Sequence, residues 1–139
     1  MGDCACNSGT KIIYSCSGAA DVGEIADRAV RALKREGFAQ GSCVAALGAG
    51  LSGYIESAKG ADVNITVDGC PVGCARKILE NLGVTPVSYT VTEMGFIKGS
   101  SPANPEAIET VYRNIKEGKT GEQKSAAGSG CGCGCSGNC

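Results

Sequence analysis

Four runs of apolar residues alternate along the chain with stretches whose apolar residues recur at helical spacing. The apolar runs predict strands near residues 11–16, 43–47, 62–67 and 86–91. The stretches between and after them predict helices near residues 21–36, 51–59, 71–82 and 105–115. Strands that alternate with helices are typical of a parallel sheet with helices on both faces. We therefore predict an α/β fold, a Rossmann-like three-layer sandwich of four parallel strands in the order 2-1-3-4.

The alternating pattern occupies only the middle of the chain, and this sets the expected domain boundaries. Residues 10–117 contain every predicted element and are enough for one modest core. Residues 1–9 are polar, and we expect them to form a flexible N-terminal arm. Residues 118–139 are rich in glycine, serine and cysteine, so we expect a flexible tail.

Charge and hydropathy limit the classes of partner. The 139 residues include 13 basic and 14 acidic side chains, a net charge of −1. This balance lacks the basic surface that nucleic-acid binding requires, and no apolar run approaches the roughly 18 residues of a membrane span. The N-terminus also lacks the charged-then-apolar order of a signal peptide, so we expect a cytoplasmic protein. The sequence does not indicate any protein partner.

Cysteine is the unusual feature of the composition, because the chain has ten cysteines and no histidine. Without a signal peptide, metal binding or redox chemistry is a better explanation than a disulfide scaffold. The absence of histidine excludes catalysis by a histidine base and restricts any protein metal site to sulfur and carboxylate ligands. The cysteines fall into an N-terminal, a central and a C-terminal group: Cys4 and Cys6; Cys16, Cys43, Cys70 and Cys74; Cys131, Cys133, Cys135 and Cys139.

Three of the central cysteines are expected to converge. Cys16 ends the first predicted strand, and Cys70 follows the third. Pro71 suits the first position of the next helix, which would place Cys70 at its N-cap and Cys74 in its first turn. Because the carboxyl ends of parallel strands share one rim, the order 2-1-3-4 brings Cys16, Cys70 and Cys74 together. Thiolates prefer soft metals, so the sequence predicts a metal site, with zinc as the first candidate.

Two further residues are candidates for completing this site. Cys43 begins the second predicted strand, about 16 Å from the rim at about 3.3 Å per residue, so geometry favours a core position for it. Asp68 is either a metal ligand or a turn residue that accepts hydrogen bonds from nearby backbone, and we favour the turn role. Cys43, Asp68 or water would complete the ligand set.

Other functions stay open at this point. Cys16 or Cys70 could instead serve a thiol-based redox or nucleophilic enzyme, so the sequence does not decide whether the protein is an enzyme. The glycines at 48, 50 and 53 match a dinucleotide-binding pattern or merely ease a tight turn between strand and helix. The tail cysteines either bind a soft metal or form an oxidisable appendage.

The central motifs resemble a known family over about residues 10–116. The resemblance rests on four segments: Ile13–Gly18, Asp21–Ile25, Cys43–Gly48 and Asp68–Lys77. They are similar to the DGC domain, a family of small proteins named for an Asp-Gly-Cys motif and described as zinc-binding, with no established activity. The resemblance implies four potential chelating cysteines at Cys16, Cys43, Cys70 and Cys74. It therefore includes Cys43, which the expected strand geometry does not.

Overall fold

The computed structural model describes residues 9–119. These residues form one parallel sheet of four strands in the order β2-β1-β3-β4, as predicted. The strands are β1 (Lys11–Ser15), β2 (Gln40–Gly41), β3 (Val63–Asp68) and β4 (Val87–Thr90). The helices are α1 (Asp21–Arg35), α2 (Val44–Gly48), α3 (Ser52–Gly60), α4 (Cys74–Asn81) and α5 (Pro105–Lys116), with a 3-10 turn at Val91–Met94.

Helices cover both faces of the sheet and divide the apolar core into two layers. On one face α1 and α5 pack against alternate strand residues, among them Ile13, Ile65 and Tyr89. On the other face α2, α3 and α4 pack against Ile12 and Tyr14. The alternation follows from the strand period of two, which directs neighbouring side chains to opposite faces. The predicted three-layer α/β sandwich is confirmed.

The last helix begins where its local sequence predicts. The side chain of Asn104 accepts a hydrogen bond from the N–H of Ala107 at 2.8 Å. Pro105 occupies the first helical position, where its missing N–H costs nothing. Among residues 9–119 no helix is both long enough and apolar enough to cross a bilayer.

The predicted second strand at residues 43–47 is wrong. The strand is Gln40–Gly41, and the segment Val44–Gly48 forms helix α2. A short apolar run does not distinguish a buried strand from a buried helix, and the alanines at 45 and 46 favour the helix. As a consequence, Cys43 follows the carboxyl end of β2 and precedes α2, so its expected place at the far end of a strand is wrong as well.

The start of α4 also differs from the prediction. The helix begins at Cys74 instead of Pro71, and a turn at residues 69–72 precedes it. Gly73 is the N-cap residue in the left-handed conformation, with φ 64°, which glycine adopts without a steric penalty. Cys70 therefore lies in the turn instead of at the N-cap, and Cys74 is exposed at the first position of the helix.

The nucleotide interpretation of the glycines at 48, 50 and 53 loses its structural basis. A dinucleotide fingerprint requires the glycines to follow a strand and open a helix. Here Gly48 is the last residue of α2, and Gly50 lies in the link to α3 with φ 75°. We therefore interpret these glycines as a connection between two short helices.

Candidate metal-binding site

A pocket of about 460 Å³ opens at the carboxyl ends of β1 and β3, where the chain leaves the two central strands in opposite directions. Ligands of open parallel sheets bind at this switch point. Ser15 of β1 pairs in register with Val67 of β3, so the residues that follow them lie level at the rim. Cys16, Asp68, Cys70 and Cys74 all line the pocket. Cys16, Cys70 and Cys74, which strand order predicted to converge, therefore line one pocket.

Cys16 is held at the base of the turn after β3. Its N–H donates to the carbonyl of Val67 at 3.1 Å, which extends the β1–β3 ladder by one residue. Its sulfur in turn accepts the N–H of Gly69 at 3.3 Å. The next residue, Ser17, has φ 52°, an unfavourable conformation for a residue with a side chain. The chain thus turns sharply after a half-buried thiol whose sulfur faces the Asp-Gly-Cys segment.

Asp68 stabilises the start of α4. The residue is 2% exposed, and its two carboxylate oxygens accept the N–H groups of Ala75 at 2.8 Å and Arg76 at 3.1 Å. Burial raises the pKa of Asp68, while these two hydrogen bonds and the charge of Arg76 oppose that shift. Because both oxygens are engaged by the helix, the predicted preference for a backbone-binding role agrees with the geometry. Asp68 binds N–H groups of α4 that lie seven and eight residues further along the chain.

Cys70 lies beside a cation that the sequence did not suggest. Lys98 lines the same pocket, and its ammonium nitrogen lies 3.7 Å from the sulfur of Cys70. Lys98 belongs to the loop after β4, 28 residues away in sequence, and no local pattern marks it as part of the site. Its position depends on the contact between this loop and α1.

Asp21 makes that contact. Its carboxylate oxygens accept the N–H of Gly99 at 2.8 Å and of Ser101 at 2.9 Å, and one of them also accepts the N–H of Val22. The hydrogen bonds from Gly99 and Ser101 hold the pKa of Asp21 below its ordinary value of 3.8. Asp21 is the first residue of α1, and Ala20 is the N-cap. Asp21 instead anchors the loop that carries Lys98.

Two glycines allow the start of α1 and the turn after β3 to come into backbone contact at the pocket. A Cβ at Gly69 would lie 2.7 Å from the backbone nitrogen of Gly23, and a Cβ at Gly23 would lie 2.6 Å from the carbonyl oxygen of Gly18. Real Cβ contacts essentially never reach such distances. The start of α1 and the turn after β3 therefore approach each other more closely than any residue with a side chain would permit.

Cys43 lies on the carboxyl side of the sheet but lines a different pocket. That pocket, of about 400 Å³, lies next to Ser15, Ser17 and Asp27, whereas Cys16 faces the first pocket. Cys43 is exposed and is the N-cap residue of α2. Residues 15–17 thus contribute to both pockets, while Cys43 lines one of them and the other three central thiols line the other.

The thiols of this site do not form a ready-made ligand set. Residues 9–119 contain no group of three or more cysteine or carboxylate side chains arranged to hold a metal ion. All four cysteines in these residues are free thiols. The remaining six lie outside the described residues, as do residues 1–8 of the predicted arm and residues 120–139 of the predicted tail.

Sequence comparison places the protein in a family. The family model of the DGC domain matches residues 12–115, which include all four central cysteines and Lys98. The chain belongs to the DGC domain family. It is also 30% identical over 88 residues to the anaerobic and virulence modulator AnvM of Pseudomonas aeruginosa, a match that spans 63% of this chain and 67% of that relative. The comparison with solved structures gave no significant match.

Proposed function

We propose that this DGC domain protein binds a soft divalent metal ion, with zinc as the first candidate, through Cys16, Cys70 and Cys74. The observation that supports the proposal is that thiols from three separate chain segments line one pocket at the switch point of the sheet. Thiolate sulfur is the preferred donor for zinc and other soft metals. Thiols persist in reducing compartments, so the proposal includes a cytoplasmic location.

The chemistry of the available donors fits such an ion. The chain has no histidine, and the carboxylate of Asp68 is already engaged by α4. The ligands would therefore be Cys16, Cys70 and Cys74, with Cys43 or water in the remaining position. A bound ion would act as a crosslink that joins the ends of β1 and β3 to the start of α4. Because residues 9–119 hold no preformed ligand group, the thiols must move together when the ion binds.

The pocket contains backbone that can adjust in this way. Cys70 lies in a turn instead of a helix, Gly69 begins that turn and Gly73 follows it. The thiols of Cys16 and Cys70 are half-buried and that of Cys74 is exposed, so a metal ion can reach them from solvent. A thiolate site of this kind responds to oxidants, because oxidised sulfur no longer binds the metal. Such a response is consistent with a relative named for anaerobic modulation.

The test measures zinc in a full-length variant whose six N-terminal and C-terminal cysteines are replaced by serine, so that only the four central thiols remain. We expect the reduced protein to retain zinc by elemental analysis. In this background Cys74→Ser should weaken zinc affinity by more than about tenfold in a chelator competition, because even loss of a group outside the ligand shell costs about that much. No zinc in the parent variant, or an unchanged affinity in Cys74→Ser, would falsify the proposal.

The matched variant Cys43→Ser distinguishes two ligand sets. Because Cys43 lines the neighbouring pocket, we expect a smaller loss of zinc affinity than for Cys74→Ser. An equal loss would instead indicate the four-thiol set implied by the family resemblance. In that case thiols that line two neighbouring pockets must move together on metal binding.

A further inference from the structure

We propose that the pocket of Cys16, Cys70 and Cys74 is also a reaction site for small anionic electrophiles, with Cys70 as the nucleophile and Lys98 as the residue that binds the anion. The proposal rests on the metal-free protein and does not require zinc binding. It assigns Lys98 a function in recognition, and it names carboxylate-bearing electrophiles as the chemical class.

The first argument is the charge available in the pocket. Asp68 and Lys98 are the charged residues that line it among residues 9–119. The carboxylate oxygens of Asp68 are occupied by the N–H groups of α4, so they are not directed at a ligand. The other lining side chains are thiols, alanines, valines and glycines. Among the lining residues of the described part of the chain, Lys98 is therefore the cation that an anion entering this pocket meets.

The second argument is the hydrogen-bonding capacity of Lys98. A lysine ammonium carries three N–H donors and no acceptor. One donor faces the sulfur of Cys70 at 3.7 Å, and within the described part of the chain Lys98 makes no salt bridge with a carboxylate. The remaining donors can bind an anionic group while the ammonium stays beside the sulfur. The electrophilic carbon would then be held next to Cys70.

The third argument is that the loop holds Lys98 in place. Asp21 accepts the N–H groups of Gly99 and Ser101, and the hydroxyl of Ser101 accepts the N–H of Ile97 at 2.8 Å. Gly99 has φ 87°, a conformation that favours glycine directly after the lysine. These bonds restrict the backbone on both sides of Lys98. The lysine is therefore presented to the pocket by a fixed turn, which reduces the entropic cost of binding an anion.

The reaction itself is a simple displacement. The sulfur of the Cys70 thiolate supplies the electron pair of a new S–C bond, and the leaving group departs with the electrons of its bond to carbon. The thiol proton goes to solvent. With iodoacetate as the probe, the products are carboxymethylated Cys70 and iodide, and no oxidant or reductant is consumed.

The test compares two probes on the full-length, reduced, metal-free protein. Iodoacetate and iodoacetamide share the same carbon and leaving group but differ in charge. Both react with the same thiolate at a given pH, so the ratio of their rates at one cysteine cancels its thiolate population and reports anion recruitment. Fragment-ion mass spectra measure the ratio separately at Cys70 and at exposed Cys43, which serves as the internal reference.

The expected result is a change in the iodoacetate-to-iodoacetamide ratio at Cys70 when Lys98 is replaced, instead of a difference from Cys43, because the pocket of Cys43 is lined by cations of its own, Arg31 and Lys34. Lys98→Gln should lower it at Cys70 by about two- to fivefold, the range of an exposed ion pair, while Lys98→Arg should retain it. Lys77→Gln removes an equal charge from the exposed face of α4 and should leave the ratio unchanged. Added salt should lower the iodoacetate-to-iodoacetamide ratio at Cys70 in the wild type.

Three results would overturn the proposal. These are an unchanged ratio at Cys70 in Lys98→Gln, an equal fall of the ratio at Cys43 in that variant, or an equal effect of Lys77→Gln at Cys70. The last two would indicate the net charge of the protein instead of a local contact. A circular dichroism spectrum and a urea unfolding midpoint equal to those of the wild type verify that Lys98→Gln is folded. A separate arm adds zinc before alkylation: protection of Cys70 supports the metal proposal, and its absence contradicts that proposal while leaving the ratio test intact.

Discussion

The most informative single residue is Asp68, because its carboxylate determines where α4 begins. It lies at the end of β3 and accepts the N–H groups of the second and third helical residues, Ala75 and Arg76. These are among the N–H groups that a helix leaves without an internal partner. The intervening residues, 69–73, therefore form a turn, and this turn presents Cys70 to the pocket. The aspartate of the Asp-Gly-Cys segment thus acts on the site through the backbone.

We expect Asp68→Asn to lower the free energy of unfolding by about 1–3 kcal/mol, because the amide nitrogen that replaces one carboxylate oxygen cannot accept the N–H group it faces and leaves that donor without a partner. Urea unfolding followed by circular dichroism measures the change. Glu80→Gln is the matched control, because Glu80 is exposed and its ion pair with Arg76 is long, at 3.7 Å. If both variants unfold at the same urea concentration, the assigned capping role is wrong.

At the scale of elements, the loop after β4 is attached to α1 by one carboxylate. Asp21 is the first residue of α1, yet it accepts N–H groups that lie 78 and 80 residues further along the chain. This contact holds the segment 97–101, and with it Lys98, over the pocket. The loop is therefore positioned by a charged group whose protonation should release it.

This attachment predicts a specific pH dependence. Because the hydrogen bonds hold the pKa of Asp21 below 3.8 in the folded protein, they stabilise the loop fully above that value. As the pH falls from 3.8 through the lowered pKa, the carboxylate takes up a proton and the stabilisation is lost. The amide resonances of Gly99 and Ser101 should therefore titrate with a midpoint below 3.8 in nuclear magnetic resonance spectra, and Asp21→Asn should abolish the titration.

The amide of Ala107 provides the control for this measurement. It donates to the uncharged side chain of Asn104 at 2.8 Å, the same distance as the bond from Gly99 to Asp21. Its resonance should not follow the titration of Asp21. A midpoint at or above 3.8 for Gly99 and Ser101 would contradict the proposed attachment.

At the scale of the whole molecule, the site exists because two βα units touch through glycine backbone. The turn after β3 meets the start of α1 at Gly69 and Gly23, in a space that has no room for a Cβ atom. This contact brings the thiol that follows β1 beside those that follow β3. The pocket is therefore a property of the packing between units and not of either unit alone.

Gly69→Ala should separate these units. We expect a loss of about 1–3 kcal/mol in the free energy of unfolding, the usual cost of overpacking, because the new methyl group would meet backbone atoms that cannot rotate away. Gly53→Ala is the control: Gly53 lies within α3, where an added Cβ atom would meet open space, and alanine should stabilise that helix by about 0.5–1 kcal/mol. Thermal unfolding should therefore shift in opposite directions for the two variants.

The parts of the fold that sequence alone predicted are those decided by local pattern. The alternation of apolar runs and amphipathic stretches was sufficient for a parallel sheet with helices on both faces, although the second strand lies at Gln40–Gly41. The start of α5 followed from Asn104 and Pro105, whose effects act within one helical turn. The shared rim of Cys16, Cys70 and Cys74 followed from strand order, because neighbouring parallel strands end on the same side.

Tertiary structure decided the features that depend on residues distant in sequence. Residues 44–48 suit a strand or a helix by apolar content alone, and packing against the sheet selected the helix, which moved Cys43 to the rim. The turn that holds Cys70 depends on hydrogen bonds between Asp68 and α4, and the approach of Lys98 depends on Asp21. Sequence periodicity reports how a segment is buried, but the direction of a hydrogen bond across 78 residues has no local signature, so only the folded chain determines it.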